Sequence, residues 1–257
     1  MIYNSYENDT ARKNRWKVLP EVNNTDKIIW RKLLGSRYQV IELDDVDHIA
    51  LAIKSVHSDF AKWQLEVGNK KIHRLHFNFS GHGIYNQSIN VDVAKHGNAF
   101  YGTSNTQFGP CLVGNTGDKE LYSSVLEIKS LLTQFNADFI TLTLDCCREL
   151  DNVAESRSRL PVKLTALPKI DNDDSRKIAT IYTTCTTDWA YDGRFCRELK
   201  NVIHSSKDHR VRIDQIVGLV NKAWEPWNKN HPDQTQYCYD EMVRIDGGHW
   251  ERQYFPL

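Results

Sequence analysis

Leu75-His76-Phe77-Asn78-Phe79-Ser80-Gly81-His82-Gly83 alternates apolar and polar side chains for six residues and then breaks at a glycine-flanked histidine. Period-two alternation is the signature of a strand with one face buried, so a strand is predicted to end at Ser80. A second stretch, Phe139-Ile140-Thr141-Leu142-Thr143-Leu144, reads the same way and runs into Asp145-Cys146-Cys147-Arg148. His82 and Cys147 stand 65 positions apart. That is enough chain for a crossover helix to set the two strands side by side.

The helices come from the intervening spacing. Ile28, Ile29, Trp30, Leu33 and Leu34 form one apolar face, with Thr25 or Asp26 as the expected cap and Gly35 as the stop. Ile49, Ile53, Val56, Phe60 and Trp63 form another, and Val125, Ile128, Leu132 and Phe135 a third. Further strands are expected at Tyr38–Leu43, at Ile178–Tyr182 and near 236–244, with helices near 193–203 and 213–225. Residues 86–118 read as a polar insertion with a hairpin near 98–112, and 149–177 as an exposed linker. Strands alternating with amphipathic helices give an α/β fold, a mainly parallel sheet covered on both faces. One domain is expected over 1–257, in halves 1–148 and 178–257.

The 257 residues carry 33 basic and 33 acidic side chains. Zero formal charge argues against nucleic-acid binding through a basic surface. No apolar run approaches a membrane span, and the first residues lack the apolar core of a signal peptide. Six cysteines, two of them adjacent, are too few and too uneven for a disulfide scaffold, so a reducing, cytoplasmic setting is the simpler reading. Asn8, Asn23, Asn78 and Asn86 stand in glycosylation triplets, but Asn78 falls inside a predicted strand. His73 and His76 point to opposite faces of a strand and cannot easily share a metal, so no metal or cofactor is expected. Trp224 and Trp227 are read as packing a helix end.

In parallel sheets the functional groups collect beyond the carboxyl ends of the strands, where both short motifs sit. A histidine beside a thiol can hold or take its proton, and the thiolate is the nucleophile of acyl transfer. The Gly83 amide is placed to donate to an oxyanion.

On these residues the chain resembles the caspase-fold cysteine peptidases, paracaspases most and metacaspases next. Phe79-Ser80-Gly81-His82-Gly83 is similar to the histidine strand end of that group, and Leu144-Asp145-Cys146-Cys147-Arg148 to its Asp-x-Cys nucleophile motif. Ala179–Cys185, Ala190-Tyr191-Asp192 and Gly193-Arg194-Phe195 resemble its small-subunit half. The resemblance implies a caspase-like fold and a cysteine endopeptidase cleaving after arginine, less well after lysine. His82 and Cys147 match the catalytic pair, and the amides of Gly83 and Cys147 the oxyanion donors. Asp26, Asp145 and Asp192 match the acidic substrate-binding positions. It also implies protein or peptide substrates and a homodimer paired through the last strand. Two alternatives stand beside it, an inactive caspase-fold scaffold and a calcium-dependent metacaspase-type peptidase. The sequence departs from the family in a short start, which implies a truncated chain or a curtailed first strand, and in Arg148-Glu149 where metacaspases have His-Ser-Gly.

Overall fold

A computed structural model describes residues 1–13, 16–35, 38–68, 71–86, 109–118, 121–146, 149–150, 178–184, 190–242 and 253–255. In chain order the strands are β1 (Ile2–Tyr3), β2 (Leu43–Asp44), β3 (Arg74–Ser80), β4 (Gly83–Asn86), β5 (Gly109–Leu112), β6 (Ser123–Ser124), β7 (Phe139–Asp145), β8 (Glu149–Leu150), β9 (Ile178–Tyr182), β10 (Val211–Arg212), β11 (Tyr239–Met242) and β12 (Tyr254–Phe255). The helices are α1 (Asp9–Lys13), α2 (Lys27–Leu34), α3 (Ile49–Val67), α4 (Val125–Thr133), α5 (Arg194–Ser205) and α6 (Ile216–Asn230).

β3 and β7 are neighbours and parallel over their whole length, from Arg74 opposite Phe139 to Ser80 opposite Asp145. The six-stranded sheet runs β11-β9-β7-β3-β1-β2. β11 alone is antiparallel, and it forms one edge. Residue parity sorts the two faces. Phe77 and Phe79 of β3, Ile140, Leu142 and Leu144 of β7, and Ile178 and Tyr182 of β9 pack with α3 and α4. Ala179 and Ile181 face the other way, into a core made by Trp30 of α2, Phe195, Leu199 and Ile203 of α5, and Val220 and Trp224 of α6. Each such side chain contributes about 1.5–3 kcal/mol by leaving water.

Local chemistry fixes the helix ends. Ser124 Oγ accepts the Glu127 N–H at 3.0 Å and starts α4, a cap worth ~1 kcal/mol. Gly68 ends α3 at φ 81°, a conformation that favours glycine.

Several expectations need correction. Tyr38–Leu43 does not form a strand, and pairing is confined to Leu43–Asp44. Its partner β1 has only two residues to offer, and Tyr38 and Val40 pack on the α2/α5/α6 core without a ladder. The hairpin joins Gly83–Asn86 to Gly109–Leu112, so its first strand lies upstream of residue 98. The exposed linker cannot begin at 149, because β8 pairs parallel with β4 in a second sheet ordered β6-β5-β4-β8. Residues 151–177 lie outside the described residues. Asp26 does not cap α2: a π-helical turn, Val22–Asp26, leads into the helix already wound, and Asp26 makes no capping bond. None of the described helices is long and apolar enough to cross a membrane.

Candidate active site

β3 and β7 end level with one another, and the Gly81 N–H donates to the Asp145 carbonyl at 3.1 Å across the two ends. A Cβ at Gly81 would lie 2.7 Å from Phe79 Cζ and 3.0 Å from Tyr6 Oη, so only glycine fits this turn. His82 follows it and is 8% exposed.

Three residues of the N-terminal arm hold His82. Its backbone N–H donates to Tyr6 Oη at 2.9 Å, and the same hydroxyl donates to the Val113 carbonyl at 2.7 Å. The imidazole lies 4.5 Å from the Tyr6 ring and 4.9 Å from the Trp16 ring, centre to centre. Its Nε2 is 2.7 Å from the Lys17 carbonyl oxygen. A carbonyl can only accept, so Nε2 carries the proton and Nδ1 keeps its lone pair. Burial holds the imidazole pKa down at about 4, so the ring is neutral at pH 7.

The arm is fastened by a loop. Asn4 donates to the carbonyls of Val46 and Val113, at 2.9 and 3.3 Å, and Tyr6 N–H donates to Asn115 Oδ1 at 2.9 Å. Tyr6 has φ 60°, the left-handed region that few side chains adopt. Gly114 and Gly117 let the arm and its neighbours come close: a Cβ would lie 1.8 Å from the Asp47 carbonyl oxygen at the first and 1.9 Å from Trp16 Cδ1 at the second.

Tyr6 is therefore a positioning residue for His82. Tyr6→Phe keeps the ring but strands a buried N–H, at a cost of about 1–3 kcal/mol. We expect the variant to fold, with the His82 titration moved upward from about 4 toward the ordinary 6.5 as water gains access. Imidazole titration by NMR checks this. An unmoved midpoint would reduce Tyr6 to a packing residue.

The acidic positions gather beside this histidine. Asp26, Asp145 and Asp192 line one cleft together with His82, Gly81, Leu19, Val22, Tyr191 and Gly193. Asp145 ends β7, and its Oδ1 accepts the Thr183 hydroxyl at 2.8 Å. The π turn carries Asp26 inward, to 1% exposure. Asp192 precedes α5 without capping it; its Oδ2 accepts the Glu21 N–H at 3.0 Å. Burial raises all three carboxyl pKa values. Asp145 reaches about 7, and the neighbouring charge of Asp145 adds to the rise at Asp26. The cleft spans about 280 Å³ including its open mouth.

Cys147 and Arg148 lie outside the described residues. Cys146 is 4% exposed and packs in the core beneath α3 and α4, turned away from the cleft. His73 bonds Asp138, and His76 is sandwiched between Trp30 and Phe255, so the two histidines share no site. Trp224 is core, and Trp227 lies 3.7 Å from the Arg194 guanidinium, as helix-end packing requires.

Sequence reasoning missed two partners here. Cys196 of α5 is fully buried with Sγ 3.9 Å from Asp145 Oδ2, and Trp16 walls His82. Cys196 was hidden because Phe195, Cys196, Leu199 and Ile203 read as one apolar helix face.

No family model and no curated protein matches this chain. Among solved structures it is similar to the crystal structure of caspase-1 from Spodoptera frugiperda, with a TM-score of 0.55 at 12% sequence identity. The match covers 94% of this chain and 84% of that one. At such identity the likeness is one of fold, and the fold is caspase-like.

Proposed function

We propose that this caspase-fold chain is a cysteine endopeptidase of paracaspase type that cleaves proteins after basic residues, arginine before lysine. The observation that carries the reading is the convergence of Asp26, Asp145 and Asp192 on one cleft beside His82. Buried carboxylates are costly without a counter-charge, so a cleft built from three of them favours a cationic guest. Arginine is the better one, because its planar fork can engage two carboxylates at once while lysine brings a point charge.

The chemistry then follows from the residues. Nδ1 of His82 takes the Cys147 thiol proton, and the thiolate attacks the scissile carbonyl carbon. The amides of Gly83 and Cys147 donate to the oxyanion that forms. As the C–N bond breaks, the imidazolium returns its proton to the leaving amine; water, deprotonated by the same Nδ1, then adds to the acyl-thioester carbon, the C–S bond breaks, the acid product leaves and the imidazolium returns the proton to the Cys147 thiolate. An imidazole held neutral at pH 7 is the form that this first step needs.

A mixed peptide library incubated with purified protein tests the reading. Cuts after arginine, fewer after lysine and none after aspartate are expected. Cleavage after aspartate would replace it with a true caspase specificity.

A further inference from the structure

Behind the cleft stands a thiol for which peptide hydrolysis has no use. Asp26, Asp145 and Cys196 each present one ligand atom, and these atoms all lie within 4.8 Å of one another. All three residues are buried, at 1%, 6% and 0% exposure. Asp26 Oδ1 has no hydrogen-bond partner, and among the described residues no lysine, arginine or histidine is paired with either carboxylate. Two carboxyl groups and a thiol therefore face one another, Asp26 also bonding Cys196 and Ser80, and no cation is paired with them among the described residues.

The donor set selects the guest. Calcium and magnesium take six or more oxygens and keep several waters, and neither favours sulfur. Two carboxylate oxygens and one thiolate, closed by a water, make the tetrahedral mixed set of zinc. Zinc–oxygen and zinc–sulfur bonds are about 2.0–2.3 Å, so ligand atoms on one ion sit roughly 3.2–3.8 Å apart. The present atoms, within 4.8 Å of one another, lie at most about an ångström beyond that spacing. Asp26 and Asp145 also line the cleft, so a water or an ion can reach them from it.

We propose that Asp26, Asp145 and Cys196 form a zinc site at the floor of the cleft, with a water from the cleft as fourth ligand. On binding, the Cys196 thiol gives its proton to solvent, and the ion is held by two carboxylates and a thiolate. The proposal deepens the basic-residue reading, since zinc occupies carboxylates that a guest arginine requires and the two exclude one another. Its test does not depend on hydrolysis.

Cobalt(II) is the probe, added to reduced, metal-free Cys147→Ala protein so that the proposed nucleophile contributes no sulfur. A near-ultraviolet sulfur-to-cobalt charge-transfer band, bleached by an equivalent of zinc, is the expected result. Cys196→Ser should abolish the band. Asp26→Asn, which keeps the sulfur, should weaken cobalt binding by about a hundredfold or more, since even outer partners of a metal cost ~10–100-fold. Circular dichroism of each variant establishes that it is folded. No band in the folded Cys147→Ala protein, or a band that survives Cys196→Ser, overturns the site. A protein that shows the band but never cleaves arginine peptides keeps the zinc site and loses the peptidase reading.

Discussion

Cys147→Ala is expected to leave no measurable cleavage, and His82→Ala to lower turnover by roughly 10²–10⁴-fold, while Cys146→Ala keeps most of its activity. Losses at the pair should not add, because a thiol and the base that activates it act as one unit. The contrast between adjacent cysteines is grounded in packing. Cys146 is buried in the core beneath α3 and α4, and its carbonyl accepts the Thr184 hydroxyl at 3.2 Å. Steady-state assays on an arginine reporter check the series, together with an alkylating probe that carries a basic side chain. If Cys146→Ala kills turnover and Cys147→Ala does not, the nucleophile is misassigned. If neither thiol labels in the wild type, the fold serves as a scaffold and the peptidase reading fails.

Asp145→Asn is expected to cost about tenfold to a hundredfold in kcat/KM on arginine reporters, the equivalent of one charge-assisted pair at roughly 1.5–3 kcal/mol. The same change should alter two pH profiles in opposite senses. The folded Asp145 carboxyl sits at about 7, above its ordinary 3.8, so the folded protein holds a proton that the unfolded chain has released. Its stabilising contribution is present below the unfolded value and is lost as pH rises through 7. A cationic guest needs the ionised form, so arginine turnover should fall as pH falls through 7. Asp145→Asn removes that acid limb and also stabilises the empty protein at pH 8, with Thr183 still able to donate to the amide oxygen. Thermal melts and kcat/KM profiles from pH 5 to about 8 measure both. Unchanged arginine cleavage in Asp145→Asn would sink the acidic-pocket reading.

Alternation and helical spacing carried the sheet and the helices because both are records of burial. β3 and β7 alternate in sequence and β9 is β-branched, and all three lie in the core of the sheet. Tyr38–Leu43 alternates too, but alternation reports which side faces the core and says nothing of a partner to ladder with. The two-residue β1 could not supply one. The π turn was illegible because Val22-Asn23-Asn24-Thr25-Asp26 has no apolar period, and so Asp26 looked like a cap. The convergence of three carboxylates came from resemblance alone, since Asp26 and Asp192 are joined only by tertiary packing. Cys196 was lost for the opposite reason, since a thiol on an apolar helix face looks like core until its neighbours are known.

The hydroxyl of Tyr6 reaches Val113 across 107 residues, and Tyr6 N–H reaches Asn115 across 109. Closing so long a loop is entropically costly and slow, so contacts of this separation form late in folding. On the ribosome the arm can grip Val46 early, but its ties to Val113 and Asn115 wait until those residues have followed, some ten seconds later at ~10 residues per second. Until that moment the Tyr6 hydroxyl that holds the His82 backbone lacks its own acceptor. A newly made chain therefore passes through its least folded period with the support of this histidine still incomplete.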